Sequence, residues 1–249
     1  MAVGSPRASR RRIGWAAGAV AGVLVVLAGI AAAAGFFDRD PVRLFVAAGA
    51  RRPVGVLYVS GDMGLRFGPA PYTAQHLAEH GITVVGINAP TAFRARQTRA
   101  GIDRIIADGV RRALAVTGAR RLVLIGQSYG ADVLQTGLVA LPAALRAHVA
   151  GVVLVVPGEA VFFRADPTGI AYRARPDSWG AQTLNRLTWT PVTCIYGATE
   201  ADSVCPDVHL TNARLIAMPG GHFLKSDRIG LFAHVLDAIR RAAPEAFAR

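Results

Sequence analysis

Ser128 stands at the centre of Gly126-Gln127-Ser128-Tyr129-Gly130, after the apolar run Leu122-Val123-Leu124-Ile125 and before Val133, Leu134 and Leu138 at helical spacing. A serine hydroxyl becomes a nucleophile when a neighbouring base takes its proton and a sharp turn lifts it into reach of a carbonyl. Strand, tight turn and helix together supply such a turn. They hold the serine in a strained backbone conformation above the sheet edge, and the residues two positions either side must be very small. Gly126 and Gly130 meet that demand. The Tyr129 N–H then falls at a helix N-terminus, where it could stabilise a developing oxyanion.

The base must come from the six histidines of the chain. His76 and His80, four apart on a helix, have the spacing of a metal pair but read as a solvated face; no metal and no cofactor is expected. His148 falls in a polar turn, His209 in a loop and His234 on the last helix. Only His222, in Met218-Pro219-Gly220-Gly221-His222-Phe223, directly follows a strand, and the two glycines let its loop swing an imidazole over the serine. Chain order in this strand–turn–helix class runs serine, acid, histidine.

The acid that fixes the histidine tautomer is therefore sought in Gly197-Ala198-Thr199-Glu200-Ala201-Asp202-Ser203-Val204-Cys205-Pro206. Asp202, four residues before Pro206, ranks first and Glu200 second; Asp207 and Glu159 are further candidates. A second oxyanion donor is expected from the glycine-punctuated loop Ser60-Gly61-Asp62-Met63-Gly64, through the N–H of Asp62 or Met63. The chemistry these residues could perform is acyl transfer from an ester to water.

The elements that must position them follow an alternating rhythm. Val42 to Ala48 reads as an edge strand and turn, and Val54–Val59 as the first buried strand. A helix over Ala74–His80, a strand over Ile82–Ile87 and a long helix over Thr98–Thr117 come next. After the serine strand, Val152–Val156, Val192–Tyr196 and Ala213–Met218 read as strands and Ile229–Ala242 as the last helix. Alternation of this kind means an α/β fold: a mostly parallel central sheet covered by helices on both faces, with functional groups at the carboxyl ends of the strands. The one long interruption, 157–190, holds Phe162, Phe163, Tyr172, Trp179 and Trp189 and is the natural place for a small cap over the site.

Three regions are expected: a basic N-region over 1–12, an apolar span over 13–37, and one α/β domain over 38–249. Arg7, Arg10, Arg11 and Arg12 precede the uncharged run Ile13 to Phe37, which is long enough to cross a bilayer as a helix. The arginines keep their end in the cytoplasm, so the domain is expected outside the inner membrane, in the periplasm. A cleaved signal peptide is the competing reading. The net charge of +12 is made of scattered arginines rather than a basic stripe interleaved with aromatics, so no nucleic-acid partner is expected. A diffusely basic domain beside an anionic membrane is nevertheless drawn to it. Cys194 and Cys205, the only cysteines, are expected to be bridged in an oxidising compartment.

Ser60-Gly61-Asp62-x-Gly64, Val84-Val85-Gly86, Leu124-Ile125-Gly126-x-Ser128-x-Gly130-Ala131-Asp132, Cys194-Ile195-Tyr196-Gly197 with Glu200-x-Asp202-Ser203-x-Cys205-Pro206, and Gly221-His222 together resemble the VirJ/AcvB family of exported bacterial proteins. The resemblance implies an α/β-hydrolase fold, an association with virulence and type IV secretion, and hydrolysis of aminoacylated phosphatidylglycerol, chiefly the lysyl form. The alternative is a non-catalytic module that assists secretion of virulence proteins, against which the presence of all three triad positions weighs. Met63 stands where that family has a further glycine and Leu65 where it has tryptophan, and Thr91-Ala92-Phe93 replaces a more aromatic stretch. These departures are expected to line the mouth of the site.

Overall fold

The computed structural model describes residues 6–248, the side chains of 6–14, 16 and 17 excepted. Helix α1 spans Pro6–Ala33 and is followed by β1 (Val42–Phe45), β2 (Val54–Val59), α2 (Pro69–Glu79), β3 (Val84–Ile87), the short α3 (Ala89–Ala92) and α4 (Arg99–Thr117). Then come β4 (Arg121–Gln127), α5 (Tyr129–Leu138), the short α6 (Ala143–Arg146) and β5 (Val149–Val155). A two-stranded excursion, β6 (Ala160–Val161) and β7 (Ser178–Trp179), precedes α7 (Gly180–Leu184). The chain closes with β8 (Val192–Gly197), β9 (Ala213–Met218) and α8 (Arg228–Ala242).

Seven strands form one sheet in the order β1-β3-β2-β4-β5-β8-β9, all parallel except β1, which pairs antiparallel with β3 at the edge. Period-two alternation sends successive residues of each strand to opposite faces. Leu122 and Leu124 of β4 join the core beneath α4 and α5, while Val123 and Ile125 join the core beneath α2 and α8. Burial of each such side chain stabilises the fold by about 1.5–3 kcal/mol. A central strand buried on both faces therefore carries an unbroken apolar run, and β4 is that strand. The Thr98 hydroxyl accepts the Gly101 N–H and starts α4, and Asp227 accepts the Gly230 N–H and starts α8.

Several elements differ in extent from the sequence-based expectation. Helix α2 begins at Pro69, five residues before Ala74, because proline suits a first turn whose N–H groups are unpaired in any case. Strand β5 starts at Val149, where a register irregularity opposite Leu122 and Val123 lets the chain enter the sheet early. The interruption at 157–190 does fold over the carboxyl edge of the sheet, as the hairpin β6–β7, a single turn at Ile170–Arg173, and α7.

The expected apolar span 13–37 begins among residues whose side chains lie outside those described. Its helix closes at Ala33 rather than Phe37, since Gly35 turns into the left-handed region and Ala34 is buried. Among the described residues no helix is long and apolar enough to cross a membrane. Those of α1 that are described leave Val20, Val23, Leu24, Val25 and Val26 exposed.

Candidate active site

Strand β4 delivers Ser128 to the carboxyl edge of the sheet, and the turn into α5 holds it at φ 53°, ψ −128°. Backbone in that region costs of order 1–3 kcal/mol and persists only where packing dictates it. The packing here is between main chains. A Cβ on Gly130 would come within 2.2 Å of the Val59 carbonyl oxygen, and one on Gly126 within 2.6 Å of the Ala131 Cα. Both positions accept only glycine: Gly126 lets the turn close on the start of α5, and Gly130 lets it lie flush against the end of β2. Gln127 is fixed beside it by a 2.7 Å hydrogen bond from the buried Tyr58 hydroxyl.

His222 reaches the serine from the loop after β9, with Ser128 Oγ 2.9 Å from His222 Nε2. On the other side of the ring, His222 Nδ1 lies 2.5 Å from Glu200 Oε1. A carboxylate at Nδ1 fixes the proton there, which leaves Nε2 as the acceptor for the Ser128 hydroxyl. That hydrogen bond, opposed by burial, holds the His222 pKa above its ordinary value, and the negative charges of Glu200, Asp202 and Asp62 add to the rise.

The acid beside the histidine is thus Glu200 and not Asp202, which corrects the ranking drawn from the sequence. The turn after β8 explains the difference. Gly197 and Glu200 close it with a 2.9 Å backbone hydrogen bond, and the Glu200 carboxylate accepts the Gly197 N–H. The Ala198 and Thr199 N–H groups donate to the Met218 and Gly220 carbonyls, strapping the turn to the histidine loop. A Cβ on Gly197 would fall 2.3 Å from the Gly221 carbonyl oxygen, so this approach again needs glycine. Two residues later the chain has turned away. Asp202 is exposed, and its carbonyl accepts the Glu159 N–H. Asp207 is exposed on the far side of Cys205, and neither it nor Glu159 reaches the histidine.

Cys194 and Cys205 are bridged, with Cα atoms 5.8 Å apart. The bond runs from β8 to the end of the acid segment. The same segment pairs through Ser203 with Gly158, in the loop after β5, and the Gly158 N–H donates to Asp132 Oδ1 at 2.9 Å. Asp132 lies on α5, one turn after Ser128. Burial pushes its carboxyl well above the usual range. A buried carboxyl on the nucleophile helix therefore holds the loop that braces the acid segment. The sequence marked Asp132 only as part of a motif, without a role.

The expected oxyanion donors sit around the serine. Tyr129 is the first residue of α5, and Gly61 packs so closely that a Cβ there would meet Ser128 Cβ at 3.2 Å, bringing the Asp62 segment alongside. The N–H groups of Asp62, Met63 and Tyr129 take no backbone acceptor among the described residues. Of the departures from the family pattern, Met63 does line the cavity over Ser128. Leu65 is buried, with its N–H on Asn88, while Thr91 binds the Gly35 carbonyl and Phe93 packs edge-on against the Tyr129 ring.

That cavity, of about 460 Å3, is bounded by the Ser60–Gly64 loop, the histidine loop and the cap. Its wall holds a cluster not anticipated from the sequence. The Tyr172 hydroxyl, from the cap, donates to Asp62 Oδ1, and the Asp166 N–H donates to the same oxygen. Burial pushes the Asp62 pKa up to about 7, against the pull of those two hydrogen bonds. Asp166 is held below the usual carboxylate range by the hydrogen bonds of Thr168 and Ala171, which outweigh its partial burial. Asp62 and Tyr172 are 110 residues apart, and only the folding of the cap brings them together.

Comparison with known proteins bears on the family and the fold. The family model for bacterial virulence protein VirJ matches residues 54–243. The chain belongs to the VirJ family. A search of curated proteins finds no relative by sequence. Among solved structures, a lipase-esterase related protein from Clostridium acetobutylicum superposes with a TM-score of 0.61 at 13% identity, over 80% of this chain and 100% of that one. Proline iminopeptidase from Mycobacterium smegmatis follows at 0.59 and 13%, over 82% and 95%. An alpha-beta serine hydrolase homologue from Coxiella burnetii gives 0.54 and 16%, over 79% and 89%. At these identities the likeness shows the fold alone: this VirJ-family domain has an α/β-hydrolase-like fold.

Proposed function

We propose that this VirJ-family protein is a serine hydrolase that cleaves carboxylic esters, with Ser128, His222 and Glu200 as its triad. The observation that carries the reading is the continuous hydrogen-bonded line from Glu200 through His222 to Ser128, ending in a cavity large enough for a substrate. Ser128 Oγ attacks the acyl carbon as its proton passes to His222 Nε2. Glu200 holds the Nδ1 proton and offsets the charge of the imidazolium. The N–H groups of Tyr129 and the Asp62–Met63 segment face the oxygen that becomes negative. His222 then protonates the leaving alcohol, and water, deprotonated by the same imidazole, releases the acid from Ser128.

For the substrate we propose an aminoacyl ester of phosphatidylglycerol, the lysyl form foremost, as the family resemblance implies. Asp62 and Asp166 in the cavity wall support it. In an otherwise strongly basic chain, two carboxylates beside the nucleophile favour an ammonium group. A cation beside Asp62 favours its charged form against the burial that raises its pKa to about 7. For the location we propose an inner-membrane anchor with the domain in the periplasm. Arg7 to Arg12, the apolar run behind them and the Cys194–Cys205 bond support it.

A fluorophosphonate probe tests the first reading: wild type should be labelled and Ser128→Ala should not. Equal labelling of the two removes the enzyme. Vesicles carrying lysyl-phosphatidylglycerol test the second. Release of lysine by wild type and not by Ser128→Ala is expected, and a labelled but inactive enzyme would restrict the protein to other esters.

A further inference from the structure

We infer that the rim of the cavity is an interfacial surface that seats on an anionic lipid bilayer, a contact separate from any insertion of α1. Isolated exposed apolar side chains are ordinary on proteins, but a group of them around one opening is not. Met63, Phe67 and Phe223 line the opening and are exposed, and Ile170 and Ile229 adjoin it from the cap and from the first turn of α8. Phe223 is 84% exposed and Ile229 74%. Lys225 and Arg228 stand exposed among them. Aromatic and branched side chains interleaved with cations form the composition that buries apolar groups at the acyl boundary and leaves charges at the headgroups.

The histidine loop is built to present this rim. Leu224, Lys225 and Ser226 hold φ values of 50°, 50° and 60°, three consecutive non-glycine residues in the left-handed region. Each costs roughly 1–2 kcal/mol relative to the right-handed form. The strained turn buries Leu224 and leaves Phe223, beside His222, projecting into solvent. A loop needed only to place His222 has no use for an outward phenylalanine.

The end of α1 favours lipid as the occupant, because it sets an exposed apolar helix against the rim. Arg66 donates to the Ala32 carbonyl at 3.1 Å, Asn88 Nδ2 to the Ala34 carbonyl at 3.0 Å and the Thr91 hydroxyl to the Gly35 carbonyl at 2.6 Å. Arg66 lies between Met63 and Phe67 in the chain and is paired with Asp38. The exposed apolar helix is thus fastened to the segment that forms one lip of the opening. Any bilayer that takes up α1 lies next to the rim, where the exposed Lys225 and Arg228 would meet its headgroups. Contacts of this kind let an ester move from the bilayer into the cavity without crossing water.

The test uses the full-length chain reconstituted in vesicles of phosphatidylglycerol and phosphatidylcholine whose acyl chains carry nitroxides. Phe223→Cys, labelled with an environment-sensitive fluorophore, should lose emission. The same label on Arg120→Cys, exposed at the amino end of β4 on the opposite edge of the sheet, should not. Ile170→Ser with Ile229→Ser should restore emission at position 223 while leaving fluorophosphonate labelling of Ser128 unchanged. A label at 223 as bright as that at 120 overturns the proposal, whether water or a protein covers the rim. So does quenching that the isoleucine substitutions leave untouched. Quenching is read without any turnover, so it persists if the enzyme reading fails, and serine labelling persists if the surface fails.

Discussion

Glu200 Oε1 lies 2.5 Å from His222 Nδ1 with its side chain only 2% exposed. An acid buried to that degree and bonded to the base does more than attract charge, because it selects which ring nitrogen carries the proton. Glu200→Gln keeps the shape but can present its amide N–H to Nδ1, which stabilises the wrong tautomer. Loss of the correct tautomer in a serine triad costs on the order of 10^4 in kcat. We expect a loss approaching that for Glu200→Gln and less than about tenfold for Asp202→Asn, whose side chain is exposed. Kinetics with a soluble ester decide the matter, and the reverse order would restore Asp202 as the acid.

The acid limb of kcat/KM should lie above the ordinary histidine value of about 6.5. His222 must be neutral to accept the serine proton, and the Glu200 hydrogen bond raises its pKa, so activity is lost as pH falls through that raised value. Asp62 contributes to the rise through its charge. Asp62→Asn should therefore move the limb to lower pH, and it should also weaken the preference for cationic over neutral acyl groups. An unmoved limb with unchanged preference would place Asp62 outside the electrostatics of the site.

How far the site is legible in the sequence follows from whether main chain or side chain decides each position. Ser128 is legible because Gly126 answers to a contact inside a known turn and Gly130 to one with the adjoining strand, and the apolar run of β4 announces a central strand. His222 is legible because a glycine pair after β9 leaves little else to deliver an imidazole to that edge. Glu200 against Asp202 is decided by Gly197 lying on the Gly221 carbonyl, a contact between two loops that no spacing along one chain reports. The Asp62–Tyr172 pair is further removed, since it exists only once the cap has folded over the sheet. The outward Phe223 depends on three left-handed residues that carry no glycine or asparagine to signal them.

Asp132 should act through position rather than charge. Its carboxyl is buried, shifted toward the neutral form, and accepts the Gly158 N–H. Asp132→Asn keeps an acceptor oxygen and should be nearly neutral for stability. Asp132→Ala leaves that N–H without its partner, at a cost of about 1–3 kcal/mol, and frees the loop that pairs with Ser203. Urea unfolding measures the first effect, and kcat of the folded variant measures the second. Equal destabilisation by Asn and Ala would mean that the ionised carboxylate, and not the hydrogen bond, is what the site requires.

The Cys194–Cys205 bond brackets Glu200, so Cys194→Ser with Cys205→Ser separates stability from positioning. Cross-linking a loop of this length stabilises by about 3 kcal/mol in the chain-entropy model. A loss near that size is expected in chemical unfolding of the double variant. The effect on turnover should be smaller than the bracket implies. Glu200 is held locally by the Gly197–Glu200 turn and by the Ala198 and Thr199 hydrogen bonds to the histidine loop, none of which passes through sulfur. The Gly158–Ser203 pairing also survives reduction. A 1 Å displacement of a catalytic group costs roughly a hundredfold, and the folded double variant should stay well inside that loss. If it falls the full hundredfold while still folded, the disulfide rather than the turn sets the carboxylate in place. If unfolding and turnover are both unchanged, the bond contributes neither.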